Sequence, residues 1–255
     1  MEIFYISVLF IFGLIFGSFF NVVGLRVSAG ESIAFPSSHC PKCKHKLKFY
    51  ENIPVFSYLF LKGKCSSCHE RISIMYPVVE LFGGILFAVS YYSFGFSLEL
   101  VLALLLSSLF CIIVVTDLNY YIIPDGILVF FLICISIYNI VAYGFLGACT
   151  YFLYGIIMFL FMFILGKLGN FLFKEESLGG GDIKLMGVLG CTCLPFISFA
   201  SLTIGSLIAL PSSIFFYFRN KDKIIPFGPF IIAGFLILMF MHVDVKMILD
   251  FITFK

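Results

Sequence analysis

Two aspartates in largely apolar surroundings could carry out chemistry together. Asp182 follows Gly179, Gly180 and Gly181 and leads into an apolar stretch, while Asp117 ends an earlier apolar run. An ionisable group at the edge of a membrane segment is costly and marks a functional site by default. If the two carboxyl groups meet, they share one proton; the ionised partner activates a water and the protonated partner polarises a carbonyl. The pattern predicts aspartic-protease chemistry without a metal.

The same residues permit other interpretations. Each aspartate could instead cap a helix, since Asp is favoured at helix N-termini. Asp125 competes with Asp117 as a partner, but it follows Pro124 in a turn-forming sequence, which favours a cap or another structural role. A phosphate loop would end in Gly-Lys-Ser/Thr after a strand, whereas an aspartate follows these glycines. We expect the glycines to give a backbone that bends and approaches a substrate, with Lys184 as part of this active-site loop.

Four cysteines predict a metal site. Cys40 and Cys43 form one Cys-x-x-Cys pair, Cys65 and Cys68 form a second, and 21 residues separate the pairs. This spacing is close to that of a four-cysteine zinc ribbon, in which all four positions are filled and the zinc is structural. Disulfides are the alternative, but they do not persist in the reducing cytoplasm, where the charge distribution below places this loop. The other five cysteines lie in or beside apolar segments and are interpreted as small hydrophobic residues.

The elements that must position these residues are membrane helices. The chain has 255 residues, of which 62% are hydrophobic, and its mean hydropathy is +1.13. Such a composition is typical of an all-α polytopic membrane protein. A cleaved signal peptide is the alternative for the first run, but that run is long and lacks a basic start. About eight spans are predicted, at residues 3–27, 77–94, 98–116, 123–143, 148–168, 183–194, 196–218 and 225–243. The sixth run is short and could be re-entrant or merge with its neighbour.

Basic residues predict the orientation. Cytoplasmic loops carry an excess of Lys and Arg. If the loop after the first span is cytoplasmic and eight spans alternate, 14 of the 16 Lys and Arg residues fall on the cytoplasmic face. The N-terminus is then outside, and Asp117 and Asp182 lie at the same cytoplasmic face. We divide the chain into a first helix (1–27), a cytoplasmic zinc loop (28–76) and a membrane-embedded peptidase domain (77–255). The net charge of +2 gives no indication of nucleic-acid binding.

A longer series of motifs resembles the GxGD intramembrane aspartyl peptidases, and within them the bacterial type IV prepilin peptidases, also called leader peptidase/N-methyltransferases. The series covers the chain from the first span through the sixth. It comprises Gly17-Ser18-Phe19-Phe20-Asn21-Val22-Val23 with Arg26, Ser38-His39-Cys40-Pro41-x-Cys43, Glu51-Asn52-Ile53-Pro54, Gly63-x-Cys65-x-x-Cys68, Ile72-Ser73, Tyr76-Pro77-x-x-Glu80, Asp117 to Ile123-Pro124-Asp125, and Gly179-Gly180-Gly181-Asp182-x-Lys184. Many members carry Trp where Tyr50 stands here.

The resemblance implies a function. The family cleaves the leader of prepilins or pilin-like proteins at the cytoplasmic membrane face and methylates the new N-terminus with S-adenosylmethionine. Its catalytic aspartates fall on Asp117 and Asp182, and its cysteine loop, associated with the methyltransferase step, falls on the four cysteines above. Glu51, Asn52 and Glu80 are possible methyltransferase or substrate residues, although Glu80 could equally pair with a base such as Arg71. No glycine-rich fingerprint for S-adenosylmethionine is evident, so its site is not located.

Two other classes compete with an enzyme. A transporter with a zinc-bearing regulatory loop would place carboxylates at the bilayer midplane, commonly in repeated halves, whereas here they lie near one face. An assembly platform for a secretion machine gives no reason for paired aspartates. The expected partners are prepilin or pseudopilin substrates and the lipid bilayer.

Overall fold

The protein is helical throughout the part of the chain that the structure describes. This computed structural model describes residues 1–174, 178–219, 226–243 and 247. It contains a short 3-10 helix at Phe49–Asn52 and eight α-helices. They are α1 (Glu2–Ser28), α2 (Phe56–Phe60), α3 (Met75–Phe94), α4 (Leu98–Tyr120), α5 (Asp125–Phe173), α6 (Gly180–Gly190), α7 (Pro195–Arg219) and α8 (Gly228–Phe240). Five of them, α1, α3, α4, α5 and α7, are long and apolar enough to cross a membrane. The predicted all-α polytopic fold is confirmed.

The chain divides into two compact units. One comprises Met1–Leu100 with Ser107–Tyr120, and the other comprises Val101–Leu106 with Tyr121–Lys255.

In the first unit, α1 and α3 cross where both carry small residues. A Cβ on Gly13 would overlap the carbonyl oxygen of Gly83, and a Cβ on Gly17 would lie 2.7 Å from the Cα of Glu80. Asn21 Nδ2 donates a hydrogen bond to the carbonyl oxygen of Tyr76 at 3.1 Å beside this crossing. Small residues allow membrane helices to approach closely, and a buried amide adds a hydrogen bond across the contact. This crossing fixes where the cysteine loop leaves and re-enters the helices.

In the second unit, α5 is a hairpin of two arms. Gly144 has φ 72° and ψ 175°, a left-handed conformation that interrupts the helix. Asn139, before this break, donates a hydrogen bond to the carbonyl oxygen of Cys191 at 2.8 Å, and Gly155, after it, also packs against Cys191. A straight helix would separate Asn139 and Gly155 by about 24 Å. The chain therefore reverses at Gly144, and the arms correspond to the predicted spans 123–143 and 148–168.

Helix α6 lies along the first arm of this hairpin. Near its start, Lys184 contacts Asp125, and just past its end Cys191 contacts Asn139. The helix has 11 residues, so its length is about 16 Å, roughly half of the hydrocarbon thickness of a bilayer. The sixth predicted run, 183–194, is thus a short helix that begins earlier, at Gly180, and ends before Pro195. Helices α7 and α8 pack together through Gly205 and Gly234.

Candidate functional site

The four loop cysteines come together in the structure. All four Sγ atoms lie within 4.8 Å of one another. Cys40 Sγ is 3.8 Å from Cys68 Sγ, and Cys43 Sγ is 3.9 Å from Cys65 Sγ. A tetrahedral zinc with Zn–S bonds of about 2.3 Å requires S···S distances of about 3.8 Å, and a disulfide requires about 2.05 Å. The thiols therefore fit a closed four-sulfur zinc site, and the alternative of disulfides is wrong.

The backbone forms two similar knuckles around these thiols. In the first knuckle, the N–H of Cys40 donates to the carbonyl of His45 at 2.9 Å, and in the second, the N–H of Cys65 donates to that of Glu70 at 2.9 Å. Lys44 and His69 occupy equivalent positions with φ of 59° and 56°. The backbone N–H of Cys43, as the largest cause, lowers the pKa of the Cys40 thiol to about 6. This hydrogen bond favours the thiolate form of Cys40, the form that metal binding requires, whereas desolvation and the neighbouring thiols raise the pKa of Cys68.

Glu51 connects the two knuckles. Only 6% of the residue is exposed, and its Oε2 accepts a hydrogen bond from the backbone N–H of Lys48 at 2.7 Å. It also contacts His45 Nε2 at 3.3 Å. The Lys48 N–H is the largest cause of a lowered pKa of Glu51, followed by Ser66. His45 follows the first Cys pair and Ser66 lies within the second, so the carboxylate of Glu51 interacts electrostatically with both. Neighbouring Asn52 is exposed.

Glu80 also serves the loop. It is buried in the second turn of α3, and its Oε2 accepts a hydrogen bond from the backbone N–H of Val55 at 2.7 Å. Val55 has φ 62° and ψ −50°, a costly conformation for a β-branched residue. The carboxylate of Glu80 therefore holds a strained loop residue at the start of α2. The structure shows no pairing between Glu80 and Arg71.

Asp117 lies in the last turn of α4, where 6% of it is exposed. The packing of α1 positions this turn, because a Cβ on Gly24 would lie 2.7 Å from the side chain of Val115. Asn119 Nδ2 donates to the carbonyl oxygen of Val115 at 2.6 Å. A helix C-terminus carries partial negative charge, so a carboxyl group gains nothing from the helix dipole there. The capping interpretation does not apply to Asp117.

Asp182 lies in the first turn of α6. The residue at the N-cap position is Gly179. The sequence predicts a bend at the glycine run. In the structure, Gly180 and Gly181 instead form the first residues of helix α6. Close packing explains Gly181, where a Cβ would lie 2.9 Å from Ile123 Cβ. Asp182 thus lies where the helix N-terminus carries partial positive charge.

Lys184, near the start of α6, forms an ion pair with Asp125 at the start of α5. Lys184 Nζ lies 2.7 Å and 2.9 Å from the two carboxylate oxygens of Asp125, the first residue of α5. The sequence analysis did not predict this ion pair. The signal that could have indicated it is that the two residues have opposite charges and each lies beside the boundary of a predicted span. The pair borders an apolar cavity of about 380 Å³ between α6 and both arms of α5. Asp125 thus anchors α6, in agreement with a structural role.

Comparisons with known proteins cover nearly the whole chain. Residues 11–94 match the bacterial peptidase A24 N-terminal domain, and residues 103–214 match the type IV leader peptidase family. A prepilin leader peptidase/N-methyltransferase of Bacillus subtilis is 39% identical over 239 residues, which is 90% of this chain and 91% of that protein. A protein of the same name from Myxococcus xanthus is 37% identical over 71% of this chain and 54% of its own length. One from Neisseria gonorrhoeae is 29% identical over 89% of this chain and 87% of its own length. No solved structure matches significantly.

Proposed function

Because this chain belongs to the type IV leader peptidase family, we propose that it cleaves the leader of prepilins or pilin-like proteins and methylates the new N-terminus. The observation that carries the proposal is the 39% identity to a prepilin leader peptidase/N-methyltransferase along about nine tenths of both chains. The transporter and assembly-platform alternatives are not favoured, since the matched relatives are named as enzymes. The protein is a multi-pass membrane enzyme.

Asp117 and Asp182 are the proposed catalytic pair. Asp182 takes the role of the carboxylate that activates water, because the N-terminus of α6 stabilises negative charge. Asp117, buried at the C-terminal end of α4, takes the role of the protonated partner that polarises the scissile carbonyl and then supplies its proton to the leaving amine. The proposed pair needs no metal for peptide cleavage.

The four cysteines are the proposed ligands of a structural zinc ion. Cys40, Cys43, Cys65 and Cys68 fit its tetrahedral geometry, and four thiolates leave no coordination position for substrate. Zinc then stabilises the loop between α1 and α3, while Glu51 and Glu80 hold its internal structure.

The methyl-transfer step needs S-adenosylmethionine, which supplies an electrophilic methyl group when bound. The amine that accepts the methyl is part of a peptide bond until the leader has been removed, so cleavage must come first. The loop and both aspartates share the proposed cytoplasmic face of the cell membrane, with the N-terminus of the protein outside. One substrate terminus could therefore reach both sites without crossing the bilayer.

Incubation of the purified protein with a prepilin peptide and S-adenosylmethionine, followed by mass spectrometry, tests both activities. We expect loss of the leader together with a gain of one methyl group. The Asp182→Asn variant should leave the intact peptide unchanged but should still methylate a peptide that lacks its leader. An intact leader with the unaltered protein would contradict the peptidase assignment. Failure of folded Asp182→Asn protein to methylate the shortened peptide would mean that the aspartates also build the transferase site.

A further inference from the structure

The cysteine loop exposes a group of apolar side chains that its own fold does not bury. They lie on the 3-10 helix Phe49–Asn52 and on α2, two short elements that contact each other. We call this group the aromatic patch. It consists of Phe49 (90% exposed), Tyr50 (58%), Phe56 (55%), Leu59 (65%) and Phe60 (83%). Exposed apolar groups of this kind, rimmed by polar residues, mark surfaces that contact a protein or a membrane.

A hydrogen bond places the aromatic patch beside the end of a membrane helix. Val55, immediately before α2, donates its backbone N–H to the carboxylate of Glu80. Glu80 lies only five residues after the start of α3, which is long and apolar enough to span a bilayer. Five residues of helix correspond to about 7.5 Å. Val55 has a strained backbone, with φ 62°. Such strain persists only where the surrounding contacts hold the residue in place, so α2 is firmly attached to α3. Helix α2 is thereby held next to the membrane boundary.

Basic residues border the aromatic patch. Exposed Lys48 precedes the 3-10 helix, and exposed Lys62 and Lys64 follow α2. Lys48 Nζ lies 5.8 Å from the centroid of the Tyr50 ring. Residues 28–76 contain seven Lys and Arg against three acidic residues. Two of these acids are already engaged, since Glu51 is buried within the loop and Glu70 pairs with Lys42.

We propose that the aromatic patch is an interfacial anchor, which inserts among the lipid headgroups of an anionic bilayer while Lys48, Lys62 and Lys64 bind the headgroup phosphates. Aromatic rings are favoured at the membrane–water interface, and basic residues near an anionic surface are attracted to it. A bilayer is favoured over a protein partner because the bond between Val55 and Glu80 holds the patch where lipid headgroups must lie. The anchor would fix the orientation of the zinc loop on the membrane.

The absence of Trp from the chain makes a direct test possible. The full-length Phe60→Trp variant carries one fluorophore in the aromatic patch, and Phe49→Trp provides a second, independent position. Ser67→Trp is the matched control, because Ser67 is also exposed but lies between the second pair of cysteines. Each variant is reconstituted into phosphatidylcholine vesicles, with and without phosphatidylglycerol, that contain lipids brominated close to the headgroup. Zinc content reports whether each loop is folded.

We expect the emission of the Phe60→Trp and Phe49→Trp variants to shift to shorter wavelength and to lose most of its intensity to the brominated lipid, more so with phosphatidylglycerol. The Ser67→Trp control should remain unquenched. Replacing Lys62 and Lys64 by Gln in the Phe60→Trp chain should remove the effect of phosphatidylglycerol. Unquenched emission from both patch positions in zinc-loaded protein would overturn the proposal. A blue shift only after addition of a prepilin peptide would overturn it in favour of a protein-binding surface. No step of this test depends on catalytic activity.

Discussion

At the scale of single residues, acidic side chains divide into two kinds. Glu51 and Glu80 each accept a backbone hydrogen bond from the cysteine loop, and Asp125 pairs with Lys184. The carboxylates of these three residues therefore have structural roles. Asp117 is buried where the helix dipole gives it no stabilisation, and Asp182 occupies the first turn of a short helix. Asp117 and Asp182 are the two acids proposed for catalysis.

Replacement of either proposed catalytic aspartate should remove cleavage. Asp117→Asn and Asp182→Asn keep the side-chain size but cannot exchange the proton, so we expect losses of at least about a hundredfold in kcat/KM. Asp125→Asn is the matched control, and an exposed ion pair contributes only about 0.2–1 kcal/mol. Its loss should therefore stay below about tenfold. Rates on a prepilin peptide measure all three, and an inactive Asp125→Asn beside an active Asp117→Asn would reassign the pair.

Glu51 should make zinc retention depend on pH. Hydrogen bonds, the largest from the Lys48 N–H, lower the pKa of this carboxyl below its ordinary value of 4.5. Its contribution to loop stability is present above that ordinary value and is lost as the pH falls through the lowered pKa. At neutral pH, we expect Glu51→Gln to release zinc to a chelator faster than the unaltered protein. The free-energy barrier to release should fall by about 1 kcal/mol or more. The difference should shrink in acid, and a pH-independent difference would contradict the assigned role of the charge.

At the scale of elements, close packing and single polar contacts position the helices. The crossing of α1 and α3 depends on Gly13, Gly17 and Gly83. In the second unit, Gly181 rests on Ile123, and Lys184 joins α6 to the start of α5. These contacts are local, but each joins residues that are distant in sequence. Substitutions there should therefore act on helix placement.

A methyl group added at the α1–α3 crossing should destabilise the protein. Gly13→Ala would overlap the carbonyl oxygen of Gly83, and overpacking costs about 1–3 kcal/mol. Gly126→Ala is the control, because a Cβ there meets nothing within 4 Å and alanine favours a helix. Thermal unfolding in detergent should show a lower midpoint for Gly13→Ala alone. Equal midpoints for both variants would mean that the crossing tolerates a side chain.

The ion pair between Lys184 and Asp125 should affect catalysis by holding α6. Lys184→Gln and Asp125→Asn should each lower kcat less than about tenfold and leave KM nearly unchanged, since each change removes an exposed ion pair. The double variant should lose no more than the worse single variant, because both changes remove one interaction. Cleavage kinetics of the four proteins measure this cycle. Additive losses would show that the residues act separately.

At the scale of the whole molecule, the distribution of charge predicts how the chain crosses the membrane. The two arms of α5, on either side of Gly144, correspond to two of the predicted spans. Both spans are needed if eight spans alternate in direction across the membrane. The division into residues 1–27, 28–76 and 77–255 and the N-outside orientation remain predictions. The orientation follows from 14 of the 16 basic residues falling on one face if eight spans alternate.

Thiol labelling in intact cells should reveal this orientation. Glu31→Cys lies just after α1 and Tyr92→Cys lies near the far end of α3, and both positions are exposed. In a chain that keeps the four loop cysteines but lacks its other five cysteines, a membrane-impermeant maleimide should label Tyr92→Cys and spare Glu31→Cys. The same chain without an added cysteine gives the background. The reverse pattern would place the loop and the N-terminus on the opposite sides.

The sequence alone determined the membrane class, the approximate spans, the four cysteines that come together and the candidate aspartates. These depend on local hydropathy, on short Cys-x-x-Cys spacings and on charged residues within apolar runs. Each can therefore be recognised from one short stretch of the sequence. Only the tertiary structure decided that α5 folds back at Gly144, that α6 is short and lies along its first arm, and which acid contacts which partner. Lys184 and Asp125 lie 59 residues apart, and Val55 and Glu80 lie 25 apart. Contacts over such separations depend on how helices pack, and no periodicity within a helix records which distant residue will lie beside it.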